Sequence, residues 1–174
     1  SYHAGMIAKY WFEQLIDLPC QVEIASEFRY RTPVIVNNTL YVCISQSGET
    51  ADTLAALRDT QKRALAKNVN IATLTICNVA TSSMVRETQH SLLTLAGTEI
   101  GVASTKAFTT QLAALMLLAL KIGQVKQSIA LEQITTIIND LWHTPKVILD
   151  SLQKDKDILR LSELFVEKQH SQLR

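Results

Sequence analysis

Apolar positions recur along the chain in two rhythms. Short continuous runs, LYVCIS (Leu40 to Ser45), NIATLTIC (Asn70 to Cys77) and HSLLTLA (His90 to Ala96), predict strands, the first of them buried on both faces. Around them, apolar residues return every three or four positions, the period of a helix with one buried face. HAGMIAKYWFEQLI places Met6, Ile7, Tyr10, Trp11, Gln14 and Leu15 at spacings that suit one face, and Pro19 ends it. ADTLAALRDTQKRALAK turns Leu54, Leu57 and Leu65 towards a core and Arg58, Lys62 and Arg63 outward. A short helix over MVRET, capped by Ser82 or Ser83, and the long TKAFTTQLAALMLLALKIG continue the series. VEIA (Val22 to Ala25) is a short strand candidate, Ser26 a cap for a brief helix over EFRYR, and RTPVIVNN a loop with Asn37 and Asn38 as turn residues. From about Ser128 onward the pattern is helical only, with Pro145 marking a break between two helices.

Strands alternating with helices, the strands apolar throughout, predict an α/β fold: a parallel sheet inside a three-layer α/β/α sandwich, followed by a helical tail. The totals agree. At 174 residues, 47% apolar and 19% charged, the chain has room for one well-buried domain and an appended segment. A net charge of +1 gives no basic stripe for nucleic acid. Cys20, Cys43 and Cys77 are odd in number, widely spaced and without a CxxC pair, which reads as free thiols in a reducing cytoplasm and no metal site. The most apolar stretch, Leu112 to Leu120, is too short to span a bilayer and reads as a helix buried on most sides. No charged region followed by an apolar core marks a signal peptide at the N-terminus. Opening on SYHAG without Met and stopping after KQHSQLR, the sequence reads as a piece of something longer.

The candidate chemistry sits at strand ends. ISQSGET (Ile44 to Thr50) crowds Ser45, Gln46, Ser47 and Thr50 around Gly48 between a strand and a helix. Two readings compete: a helix cap, which needs one such side chain, or an anion cradle in which hydroxyls and backbone N–H groups face a phosphate at the positive end of the helix dipole. A second loop, GTEIGVASTK after HSLLTLA, has the same chemistry, with glycine for close approach and hydroxyls for neutral hydrogen bonds. In an open parallel sheet ligands bind beyond the carboxyl ends of strands, so the two loops together favour one polar pocket for a phosphorylated, hydroxyl-rich small molecule. Neither GxxxxGK[ST], GxGxxG nor GxSxG is present. Glu49, beside the expected anion, is expected to point away. Lys106 is a candidate to assist the anion but reads first as a solvated helix-start lysine, and Glu99 is the nearest candidate for a proton-transfer base but reads first as a structural loop carboxylate. His3, His90, His143 and His170 show no ligand spacing.

ISQSGETADTL and AGTEIGVASTKAFTTQL, with AKYWFE and VEIASEFRYR, resemble the isomerase part of the isomerising glutamine–fructose-6-phosphate aminotransferases, or glucosamine-6-phosphate synthases. SxSGxT alone marks only the broader SIS (sugar isomerase) family; the GTEIGVASTKAFTTQ run is the more specific. The resemblance implies a flavodoxin-like SIS domain over residues 1–124, and a helical segment over 125–174 leading to a second SIS domain that is absent. It implies that Ser45, Ser47 and Thr50 hold the sugar phosphate, with Gln46 contributing through amide or backbone groups. Ser1 matches a serine that also reaches the substrate. Val102, through its backbone, and Ser104 match positions that contact sugar hydroxyls. The substrate and product implied are fructose 6-phosphate and glucosamine 6-phosphate, with no cofactor, no nucleic acid and no membrane.

In that family an N-terminal glutaminase domain releases ammonia, and the catalytic glutamate, a histidine and a substrate-binding lysine lie in parts beyond this sequence. No residue here stands out as the proton-transfer base, so the expectation is a chain that binds but does not turn over. The alternative is a sugar-phosphate-sensing or dimerisation module. No basic recognition helix accompanies it, while the apolar helix from Thr105 to Ile122 favours a homodimer contact.

Overall fold

The structure, a computed structural model, describes residues 1–101 and 104–168. Its elements in chain order are α1 (Tyr2–Ile16), α2 (Ala25–Phe28), β1 (Thr39–Ile44), α3 (Ala51–Ala66), β2 (Ile71–Cys77), α4 (Ser83–Glu87), β3 (His90–Leu93), α5 (Lys106–Lys126), α6 (Leu131–Leu152) and α7 (Asp155–Glu163). The chain divides into two compact units, Ser1–Ala130 and Leu131–Arg174.

In the first unit the strands form a parallel sheet of order β1-β2-β3, with helices on both sides. Thr39 pairs with Ile71 and Ile44 with Ile76; Leu74 pairs with His90 and Cys77 with Leu93. All three strands therefore end at one edge, and their following loops gather there. β2, with a neighbour on each side, is the most buried strand, from Thr73 to Cys77. β1 was expected to be buried on both faces. Instead it is half-buried with Leu40 exposed, because among the described residues only β2 flanks it.

Helix α1 buries the opposite set from the expected one. Ala4, Gly5, Ala8, Phe12 and Ile16 face inward, while Met6, Ile7, Tyr10 and Gln14 are exposed and Trp11 and Leu15 half-exposed. The first half of the buried stripe is made of small residues, Ala4, Gly5 and Ala8, and Phe12 and Ile16 complete it where α1 packs against α5. The helix ends at Asp17 in the left-handed conformation, which lets the Leu18 N–H reach the Phe12 carbonyl, a Schellman-type stop placed before Pro19.

VEIA forms no strand. Ile24 is extended but unpaired, and it, rather than Ser26, occupies the N-cap of α2. In α3, Leu54 and Leu57 are buried as expected, but Leu65 is 85% exposed. The buried stripe runs through Leu57, Thr60 and Ala64, and Leu65 lies about 100° further round the helix.

The apolar run Leu112 to Leu120 belongs to a 21-residue helix, which is long and apolar enough to cross a membrane by length and composition. Its packing is that of a domain helix. One face, from Ala107 through Gln111, Ala114, Leu115 and Ala119 to Gly123, is buried and packs against α1 and β2, while Leu117 and Val125 stay exposed. Within Leu112 to Leu120 itself Leu117 alone is exposed, so the run is buried fully on one face and partly around the rest.

In the second unit Pro145 does not break the helix. α6 runs through it from Leu131 to Leu152, and the chain turns at Gln153 and Lys154 instead. Proline deprives the Leu141 carbonyl of its partner, but residues 142–150 are all exposed, so water can satisfy it.

Candidate functional site

The first loop is built from its own small side chains. Ser45, 3% exposed, continues the β1 ladder by donating its N–H to the Ile76 carbonyl at 3.0 Å. Its Oγ accepts the Gly48 N–H at 3.1 Å and lies 2.9 Å from Thr50 Oγ1. Ser47 Oγ accepts the Glu49 N–H at 3.2 Å. Gly48 carries the turn at φ +69°, a conformation open to glycine and costly for other residues. It also lies directly over Ser82, where a Cβ would meet the serine side chain.

Thr50 is the N-cap of α3, yet its side chain makes no cap hydrogen bond. The first helical bond is from the Leu54 N–H to the Thr50 carbonyl. The N–H groups of Ala51, Asp52 and Thr53 therefore have no acceptor within the helix. A simple cap would place Thr50 Oγ1 on one of them; here it turns to Ser45. Asp52, in the same first turn, is engaged by Arg29 at 2.6 Å. That pairing offsets a negative charge beside the helix N-terminus.

The turn is clamped to the segment between β2 and α4. The Asn78 N–H donates to the Gln46 carbonyl and the Met84 N–H to the Gly48 carbonyl, each at 3.1 Å. Glu49 points away from the loop's hydroxyls, and its Oε1 accepts the Ser83 N–H at 2.7 Å. Hydrogen bonds from Ser83, with Arg86 nearby, hold the Glu49 carboxyl below its ordinary range. Cys77 Sγ, buried, sits 3.6 Å from Ser82 Oγ under Gly48. Burial pushes the Cys43 thiol up to about 11, so it stays protonated near neutrality and is no nucleophile.

A cavity of about 590 Å³ opens at the ends of the strands. Gln46 lines it from the first loop, Asn78, Val79 and Ala80 from the end of β2, and Leu95, Gly97, Thr98 and Glu99 from the second loop. Within the second loop Glu99 is a cap for α5: Oε2 accepts the Ala107 N–H at 3.1 Å and Oε1 accepts the Thr105 hydroxyl at 3.4 Å. Lys106 is exposed at the start of that helix.

Of the expected site residues, Ser45, Gln46, Ser47 and Thr50 share one turn, and among the described residues of the set Gln46 alone reaches the cavity. Ser1 is the N-cap of α1 without a side-chain bond, and Ser104 is exposed before α5; neither lines the cavity. Val102 lies outside the described residues. Sequence reasoning passed over Asn78, although an asparagine directly after a strand is a turn residue at the edge where ligands bind. Among the described residues no three His, Cys, Asp or Glu side chains converge as a metal site would need.

A parallel sheet with two hydroxyl- and glycine-bearing loops at its carboxyl edge defines a small-ligand-binding α/β domain. The chain belongs to the SIS domain family, whose profile matches residues 1–121. It is 83% identical over 170 residues to the isomerizing glutamine–fructose-6-phosphate aminotransferase of Acinetobacter baylyi, covering 98% of this chain and 28% of that protein. The enzyme of the same name from Pseudomonas syringae pv. tomato is 54% identical over 171 residues, with 27% of its length covered. Among solved structures, the C-terminal domain of glucosamine-fructose-6-phosphate aminotransferase from Francisella tularensis superposes with a TM-score of 0.86 at 48% identity, over 98% of this chain and 47% of that one. The chain thus spans less than a third of the curated relatives it matches.

Proposed function

We propose that this chain is the sugar-phosphate-binding half of the isomerase region of an isomerising glutamine–fructose-6-phosphate aminotransferase, holding fructose 6-phosphate and glucosamine 6-phosphate. The observation that carries the reading is the N-terminus of α3, where Thr50 is not spent on capping and three N–H groups lack helical acceptors. Ser47, Thr50 and those N–H groups receive the phosphate, with Ser45 orienting Thr50 and Gln46 facing the sugar across the cavity. Ser1, Val102 and Ser104 complete the set around the sugar hydroxyls.

In the whole enzyme the ketose opens, ammonia condenses at its carbonyl carbon, and a base moves a proton to give the 2-amino aldose phosphate. Such a base must reach the carbon acid directly. The family resemblance puts that base in parts of the protein outside this chain, and the engagement of Glu99 at the start of α5 is in keeping with it; on this reading the chain binds without turning over. The same reading divides the chain into a SIS domain over 1–124 and a helical segment over 125–174 that leads to a second SIS domain. It gives the whole protein a glutaminase domain, a homodimeric state and a cytoplasmic location, in keeping with three free cysteines.

Calorimetric titration with fructose 6-phosphate and glucosamine 6-phosphate tests it. Hydrogen bonds to a charged group contribute about 1.5–3 kcal/mol each, so Ser47→Ala with Thr50→Ala is expected to weaken binding roughly a hundredfold or more. A double variant that binds like the wild type contradicts the reading.

A further inference from the structure

Asn78 touches both loops at once. Its backbone N–H donates to the Gln46 carbonyl of the first loop at 3.1 Å. Its side chain is committed to the approach to the second: Nδ2 donates to the Gly97 carbonyl at 2.6 Å, and Oδ1 accepts the Ala96 N–H at 2.7 Å and the Thr94 hydroxyl at 3.2 Å. These partners orient the carboxamide without ambiguity, since an N–H can only donate and a carbonyl only accept.

The position explains the need. The β2–β3 ladder ends with Cys77 opposite Leu93 and a last bond from the Thr94 N–H to the Cys77 carbonyl. Beyond it the chain takes left-handed backbone at Leu95 (φ 52°) and Gly97 (φ 69°), which no strand partner can follow. The Asn78 carboxamide stands in for the missing peptide group. An asparagine used only for a local turn would bond to backbone two residues on; this one reaches 16 to 19 residues along the chain.

We propose that Asn78 is a positioning residue that sets the distance between the two loops, and so the fit of the sugar rather than of the phosphate. This rests on the sugar-phosphate reading above. The first loop has its own clamps, from Gly48 to Met84 and from Glu49 to Ser83, which do not involve the Asn78 side chain. The second loop is held at its far end by Glu99 on α5 and at its near end by Asn78. Release of the near end leaves the phosphate cradle standing and lets the sugar-facing wall of the cavity drift.

Calorimetric titration of the chain with inorganic phosphate and with glucosamine 6-phosphate reads the two halves separately. Loss of the side-chain bonds in Asn78→Ala is expected to weaken glucosamine 6-phosphate about tenfold or more while phosphate stays within about twofold. Ser47→Ala with Thr50→Ala weakens both ligands. Amide exchange gives an independent readout: the Ala96 N–H exchanges faster in Asn78→Ala, while the Thr94 N–H, bonded to Cys77, keeps its protection. If Asn78→Ala does not fold, Asn78→Ser carries the same comparison with a smaller expected loss. Equal weakening of both ligands, or of neither, overturns the inference alone. A wild-type chain that takes up neither ligand removes the functional reading and the inference with it.

Discussion

Gly48 meets two demands at one position, a left-handed backbone and contact with Ser82. A Cβ placed there would lie 2.5 Å from Ser82 Cβ and closer still to its Oγ. Gly48→Ala is therefore expected to cost about 1–3 kcal/mol, read as a lower denaturation midpoint. Ser82→Gly in the same chain should recover the steric part and not the φ part. Glu49 offers a pH handle. Its folded-state pKa lies below the unfolded one, so its contribution is whole above the ordinary carboxyl range and drains as pH falls through the folded value. The wild type should lose more stability than Glu49→Gln between neutral pH and pH ~3 in denaturant titrations; equal losses would remove the Glu49–Ser83 anchor from the account. At this scale the sequence announces what is local. The hydroxyl cluster of ISQSGET and the outward turn of Glu49 follow from neighbouring residues. Asn78 does not, because its partners at Thr94, Ala96 and Gly97 come near only once β2 and β3 pair.

Elements were legible in kind more than in facing. β2 and β3 lie within the apolar runs that predicted them and β1 is offset from its run by one residue, since unbroken apolar character has few other homes. Helix α1 carries two candidate stripes, and the bulkier one is the exposed one. The choice was made by α5, whose Gly123 sits where a Cβ would meet Ile129 Cγ2 at 2.7 Å and Ile16 Cγ2 closer still. Gly123→Ala gains about 1 kcal/mol in helix propensity and loses about 1–3 kcal/mol to overpacking. The expected outcome is a net fall in stability by chemical denaturation; a stabilised variant would show that α1 and α5 are not held at close range. Pro145 was misread for a related reason: its cost depends on whether water reaches the freed carbonyl, and only the exposure of residues 142–150 shows that it can.

At the scale of the molecule, function follows from where the sheet ends. Parallel strands in register bring SQSGET, the Asn78 turn and GTEIG to one edge, where residues of all three line one cavity. That gathering was foreseeable from strand–helix alternation, whereas the walls of the cavity required the register. The chain is small enough, at 19.4 kDa, for residue-by-residue amide spectra. Titration with glucosamine 6-phosphate, followed through those spectra, tests the central claim most directly. The account expects the largest shifts at Ser47 to Thr53 and at Ala96 to Gly101, with α6 and α7 unmoved. Shifts centred elsewhere, or a spectrum that millimolar ligand leaves unchanged, would contradict it.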